Sequence, residues 1–309
     1  MHTTPSTAHA GQPAACGITG HALVSARLSD ISALRERPAP PGAPALPARF
    51  LRHCDEHAVV GMHAILRVLA SRGPECSDVS RHAVVSASCQ LGRLAAAKTL
   101  ANLATGGGVS VSPHIVPQCS LHSVAGAVSV GLGMHGPHLG VGGGTDALAE
   151  GLFAAATLVR ASGTTGEPPC VWLVATEWEG EPALDDAGTP VDDQVCSGLA
   201  VAIEPDAPDQ ATDDDRHRVA APFRTVPAPL RKAAVTTSSL SLTLRFPEAA
   251  RLRVVTPSAT GRLADFARAL DMCREGTALV SWALECPWGA EIRVSRRPGA
   301  ATERLRGAA

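Results

Sequence analysis

The chain has 309 residues, 45% of them hydrophobic but only 3% aromatic, and it contains no tyrosine. That is apolar material enough for one large domain or two packed halves, with a core of small side chains that lets helices and strands approach closely. The formal charge is −2 with both signs interspersed, so there is no basic stripe for a nucleic acid to bind.

Residues 1–15 are polar and have no apolar h-region, so they are expected to be a disordered tail rather than a signal peptide. Cys16 to Ser25 (CGITGHALVS) reads as a first strand. Pro38 to Pro47 is a Pro/Ala/Gly loop. Between Arg49 and Ala70, Val59, Met62, Ile65, Leu66 and Leu69 recur at helical spacing. His82 to Ala87 is a β-branched run suited to a buried parallel strand, and Leu91 to Ala104 reads as a helix closed by Gly106–Gly108.

Ser120 to Gly133 is another helix rich in small residues. The strand Leu139 to Val141 leads into Gly142–Gly143–Gly144–Thr145–Asp146, and the Ala/Leu helix Ala147 to Ala161 follows. Cys170 to Ala175 and Gly198 to Ile203 are buried strands. This βαβαβ rhythm predicts an α/β fold with a mixed, largely parallel sheet and helices on both faces. Residues 206–232 form a Pro/Asp/Arg linker or surface loop that carries Asp213–Asp214–Asp215, read as a solvated stretch. In the smaller unit 233–309, strands are expected at Leu240 to Phe246 and Leu252 to Val255, a helix at Leu263 to Cys273, and a hairpin from Thr277 to Ser295.

The longest apolar glycine-bearing run, Val124 to Met134, is far shorter than the ~20 residues of a membrane span. Nine cysteines lie at irregular spacings without a CxxC pair, which removes the usual zinc and redox signatures. They read as small apolar fillers in a reducing cytoplasm. His53 and His57 lie one helical turn apart, yet a solvated helix face is the better reading than a metal site. His135 and His138, flanking Gly136–Pro137, are read as turn residues in the same way. The glycine triplets lack a following Lys–Ser/Thr and read as turns, not phosphate loops. No metal and no cofactor is expected.

The segment from Pro113 to Glu204 carries the most information. It holds SLHSVAGAVSVGLGMHGPHLGVGGGTDALAEGLFAAATLV, then VWLVATEWEGEP, then VCSGLAVAIE. In its order of elements it resembles the N-terminal half of the β-ketoacyl synthases of the thiolase superfamily. Gly133–Met134–His135–Gly136–Pro137 resembles the family's G-x-x-GP turn, and Gly140 to Asp146 its approach to the nucleophile. Ser197 to Glu204 resembles a later strand. With GITGHALVS as the opening strand and Arg49 to Ala70 as the first long helix, the resemblance covers residues 16–205. A complete thiolase fold repeats a βαβαβαββ unit twice, and 233–309 is too short for a full second copy, so a trimmed second half is expected.

The resemblance implies a nucleophilic cysteine where this chain has Thr145, next to Asp146. A synthase needs a thiolate at a helix N-terminus, with backbone N–H groups for the oxyanion. Threonine has no such low-pKa state, and the aspartate opposes oxyanion stabilisation. The family also draws two histidines from its second half. Here only His217 follows residue 205, and no HGTGT-like segment is present. The run Ser120–Leu121–His122–Ser123–Val124–Ala125–Gly126 resembles the chain-length factors of aryl-polyene and highly reducing type II polyketide systems.

That resemblance implies a non-catalytic subunit paired with an active ketosynthase, which condenses units carried on acyl carrier protein. By rough placement, Leu100, Leu103, Val116 and Cys119 are candidates for the tunnel end, and Leu139, Val141 and Gly142 for the interface strand. Two other readings stand beside it. One is an independent acyltransferase or hydrolase using Thr145, Cys89 or Cys119; the other is a scaffold that binds carrier protein without tuning chain length.

Overall fold

The computed structural model describes residues 15–73, 78–162, 168–206, 240–245, 262–275 and 281–296. Eight strands form one sheet in the order β3-β2-β4-β5-β1-β6-β8-β7. They are β1 (Ala15–Arg27), β2 (Ala83–Cys89), β3 (His138–Gly143), β4 (Val171–Trp178), β5 (Val195–Pro205), β6 (Leu240–Arg245), β7 (Ser281–Glu285) and β8 (Glu291–Arg296). The helices are α1 (Ile31–Glu36), α2 (Glu56–Arg72), α3 (Arg93–Gly106), α4 (Ile115–Cys119), α5 (Ser123–Leu132), α6 (Ala147–Ser162) and α7 (Arg262–Glu275). Residues 15–205 thus contain one βαβαβαββ unit.

The sheet is mixed, and its parallel part is β3-β2-β4. From β5 onward every pairing is antiparallel. The change of direction follows from the connections. Strands β2, β3 and β4 are joined through helices, whereas β4 returns to β5 through residues 179–194 without one, and a strand that turns straight back must pair antiparallel.

Side chains of a strand alternate between faces, and here both faces are covered. Val85, Ala87, Leu173, Ala175, Leu199 and Val201 point into a core shared with α6 and α7. Val84, Trp172, Val174, Ala200 and Ala202 point into a second core with α2 and α5. All eight residues of β4 are buried, which explains why its sequence is apolar without alternation. Within the second core, the Trp172 indole N–H donates to His82 Nδ1 at 3.0 Å, so the polar end of the largest buried side chain is satisfied.

Most expected elements are present with shifted ends. The helix expected from Arg49 to Ala70 begins later. Phe50–His53 is a 3-10 turn entered through Arg49 at φ 61°, and α2 starts after Asp55, whose Oδ1 accepts the His57 N–H at 2.8 Å. The short helix α1 was not anticipated. The N-terminal tail (residues 1–14), almost all of the linker (207–232) and the strand expected at Leu252 to Val255 lie outside the described residues. After residue 239, β6 adds antiparallel to β1 and extends the same sheet, while α7 packs on the α6 side. The described residues therefore make three layers, helices–sheet–helices. No described helix is long and apolar enough to cross a membrane.

Helix α3 differs from the other long helices in having no buried residue. The contrast gives a prediction. Leu173→Ala, in the centre of β4, is expected to cost about 2–5 kcal/mol of unfolding free energy. Leu100→Ala, on α3, is expected to stay within about 0.5 kcal/mol. Denaturant unfolding of the isolated chain measures both.

Candidate functional site

Among the described residues β3 is an outer strand of the sheet, hydrogen-bonded only to β2. At its end Gly142 and Gly143 take φ of 94° and 108°, values that side chains rarely tolerate. A Cβ on Gly142 would also lie 2.7 Å from Ala147 Cβ. This reversal delivers Thr145 to the N-terminus of α6, where Glu150 N–H reaches Asp146 O at 3.0 Å and opens the helix. The order expected from the sequence, a strand, a glycine turn and a helix, is present.

What surrounds it does not resemble a nucleophile's surroundings. Thr145 is exposed, and among the described residues its hydroxyl has no hydrogen-bond partner, hence no base to activate it. Arg262, the first residue of α7, donates to the Thr145 carbonyl and lies 3.7 Å from Asp146 Oδ1. Glu177 Oε1 accepts the Leu263 N–H at 3.0 Å, at the same helix N-terminus. Burial raises the Glu177 carboxyl above its ordinary value. The elbow is therefore engaged by Arg262, while Glu177 holds the N-terminus of the helix that carries this arginine. The contact with Arg262 had no counterpart in the sequence reading, because 117 residues separate it from Thr145.

The cysteines fare no better as nucleophiles. Cys89 ends β2, in register with Gly143. Burial pushes its thiol up, and the nearby Glu177 carboxylate pushes it further. Cys119 is raised by burial and by Asp55, and its Sγ packs against Gly92. Fully buried Cys170 is raised to about 12. A reactive cysteine needs the opposite shift.

Beneath the elbow lies a buried polar chain. The Thr176 hydroxyl donates to Ser88 Oγ at 2.8 Å, and His57 Nδ1 lies 2.9 Å from Thr176 Oγ1. Ser88 is in register with Gly142, so the chain comes within one strand of the elbow. The expectation that His57 belongs to a solvated helix face is overturned. His57 is fully buried, edge-on to Trp178 at 5.7 Å, and among the described residues its Nε2 has no hydrogen-bond partner. Every residue of α2 from His57 to Leu66 is buried, so the first turns of the helix have no solvated face. Burial lowers its pKa to about 4.

The candidate tunnel residues are not gathered into an enclosed cavity. Leu100 is 64% exposed, Leu103 44% and Val116 73%; Cys119 is half-buried. Val116 lines an open, mainly apolar cleft of about 490 Å³ between the start of α2 and helices α4 and α5, floored by Ala58, Gly126 and Ala127. A neighbouring cleft of about 430 Å³ is lined by Arg35, Arg52, Lys98, Asp55 and Glu56, and no activated nucleophile faces it. The candidate interface residues Leu139, Val141 and Gly142 do fall on one open strand, half-buried at the sheet's edge. Among the described residues no group of three His, Cys, Asp or Glu side chains is placed to hold a metal ion.

No protein-family model matches the chain, and no curated protein matches it. Solved structures do. A chain of the ketosynthase ApeO in complex with its chain length factor ApeC, from Xenorhabdus doucetiae, aligns with a TM-score of 0.51 at 19% identity, over 91% of this chain and 99% of that one. A chain of AntDE:AntF aligns with a TM-score of 0.54 at 13% identity, over 92% and 99%. That structure is a type II polyketide synthase acyl carrier protein in complex with its ketosynthase bound to the hexaketide. The chain has the thiolase-type fold of the ketosynthases.

His57 gives a prediction with a definite sign. Its folded pKa lies below the ordinary 6.5, so the fold favours neutral imidazole. Stability is intact above pH 6.5 and is lost as pH falls toward 4, by about 3 kcal/mol. Asp55, raised to about 6 by burial, acts in the opposite sense between pH 6 and 3.8. Its effect cancels on comparison with His57→Asn, which keeps a donor toward Thr176. The unfolding free energy of the wild type is expected to fall relative to that of the variant between pH 7 and 4. A constant difference across this range would contradict the assignment.

Proposed function

We propose that this chain is the non-catalytic, chain-length-factor-like member of a heterodimer with an active ketosynthase, in type II polyketide or fatty-acid elongation. The partner would carry out decarboxylative condensation on acyl carrier protein thioesters, and this chain would stabilise the partner and close the far end of its acyl tunnel. Polyenes are the product class favoured by the sequence resemblance. The observation that carries the reading is the elbow itself. Its strand–glycine turn–helix geometry suits a nucleophile turn, yet among the described residues no base bonds the Thr145 hydroxyl, and Arg262 engages both Thr145 and Asp146.

The surface supports a permanent partner. Among the described residues nothing pairs with the outer edge of β3, sequence HLGVGG, which has neither proline nor lysine to discourage pairing. Val130 on the adjoining α5 is 73% exposed, and Leu100 and Leu103 add further apolar surface on α3. Side chains that close a tunnel formed between two subunits are expected to be bare in the separate chain, as Leu100, Leu103 and Val116 are.

Co-expression with the ketosynthase encoded nearest to it tests the pairing. The two chains are expected to co-purify, and Val141→Asp on the open strand to reduce recovery of the complex at least tenfold. A stable monomer that ignores every neighbouring ketosynthase would end this reading. Bulkier side chains at Leu100 or Val116 are expected to shorten the product, whereas unchanged product lengths would favour a scaffold that only binds carrier protein. Incubation with acyl thioesters is expected to leave Thr145, Cys89 and Cys119 unmodified by mass spectrometry. An adduct on any of them would favour the acyltransferase reading.

A further inference from the structure

The sequence offers His135 and His138 as neighbours, but the fold pairs His138 with His122 instead. His138 opens β3 and His122 immediately precedes α5. Their rings stack with centroids 4.8 Å apart at 28°, and His138 Nδ1 lies 3.0 Å from His122 Nε2. Both residues are exposed. Among the described residues, no hydrogen bond or ring contact joins His135 to either, and its backbone N–H is taken by Ser80 O at 2.7 Å.

The two rings stand on parts of the backbone that cannot easily separate. Leu121 lies directly over Gly140, where a Cβ would come within 2.0 Å of the Leu121 carbonyl oxygen. That carbonyl accepts the Ser86 hydroxyl of β2 at 3.0 Å. The Ser120 Oγ accepts the His122 N–H at 3.3 Å, and His122 O accepts the Gly126 N–H at 2.8 Å. At the other end, His138 is in register with Val84 of β2. The separation of the imidazoles is thus set by sheet and helix, the kind of support that a pre-formed ligand pair needs.

We infer that His122 and His138 form a two-imidazole chelate for a borderline divalent transition metal such as Ni²⁺, Cu²⁺ or Zn²⁺. Two imidazole nitrogens each about 2.0–2.1 Å from one ion, at angles between a right angle and the tetrahedral one, lie about 2.8–3.4 Å apart. The observed 3.0 Å falls within that range. Binding requires both facing nitrogens to be unprotonated, so the proton shared between them shifts to the far nitrogen of its own ring and each neutral imidazole keeps one N–H, at His122 Nδ1 and His138 Nε2. Since no third protein ligand is in place among the described residues, the other coordination positions stay open to solvent or to a group from a partner. Imidazole ligation favours these ions over Mg²⁺ and Ca²⁺. An ion here would tie α5 to the open strand β3.

The test uses the full, tag-free chain and the metal alone, independently of any ketosynthase. Ni²⁺ titrated by calorimetry is expected to show a site that weakens at least tenfold in His122→Asn and, separately, in His138→Asn, and that is unchanged in His135→Asn. With Cu²⁺, nitrogen hyperfine coupling in the electron paramagnetic resonance spectrum should report two imidazoles at that site and lose one in each of the first two variants. Far-ultraviolet circular dichroism confirms that the variants fold. The inference is overturned if Ni²⁺ binding is absent, if it survives in either the His122 or the His138 variant, or if it disappears in His135→Asn.

Discussion

The structure depends on the covering of one sheet from both sides. Strand β4 has no exposed residue, and its alternate side chains serve two separate cores, Leu173 with α6 and α7, Trp172 and Val174 with α2 and α5. Once the central strands are sealed in this way, their polar backbone is satisfied within the sheet and nothing reactive remains accessible there. Chemistry and association are confined to the places where cover ends. These are the elbow after β3 and the open side of β3 itself.

At the elbow, geometry and chemistry disagree. Two glycines at positive φ turn the chain so that residue 145 sits at a helix N-terminus, the position that would lower a thiol's pKa and present N–H groups to an oxyanion. The residue is threonine, the next is an aspartate that satisfies the helix dipole internally, and Arg262 reaches across from α7. A helix end complemented by its own acid and held by a guanidinium offers little to an incoming oxyanion. The turn joins β3 to α6, and under the proposed function a subunit that shapes and supports its partner would require no more of it.

The buried histidine beneath the elbow carries a related lesson. His57, Thr176 and Ser88 link α2, β4 and β2 by hydrogen bonds in the core, and burial favours the neutral imidazole against the pull of the nearby Glu56 carboxylate. A histidine held this far below its ordinary pKa, away from the described clefts, ties the helix to the sheet. Its position one strand from the elbow shows how little proximity means without access.

How much of this was legible beforehand differs by residue. The apolar runs at Val84, Leu173 and Val201, the stripe on α2, the glycine elbow and the absence of a nucleophile at Thr145 were all set by local sequence, because periodicity and residue chemistry act over a few positions. So was the nature of β3 as a strand. Which strands lie at the edge, the return of β4 to β5 in antiparallel fashion, the approach of Arg262 to Thr145, the stacking of His122 on His138 and the exposure of Leu100 and Val116 were decided by tertiary structure alone. Each joins residues whose separation along the chain exceeds the reach of any sequence period, so only the packing of helices on the sheet could bring them together or leave them bare.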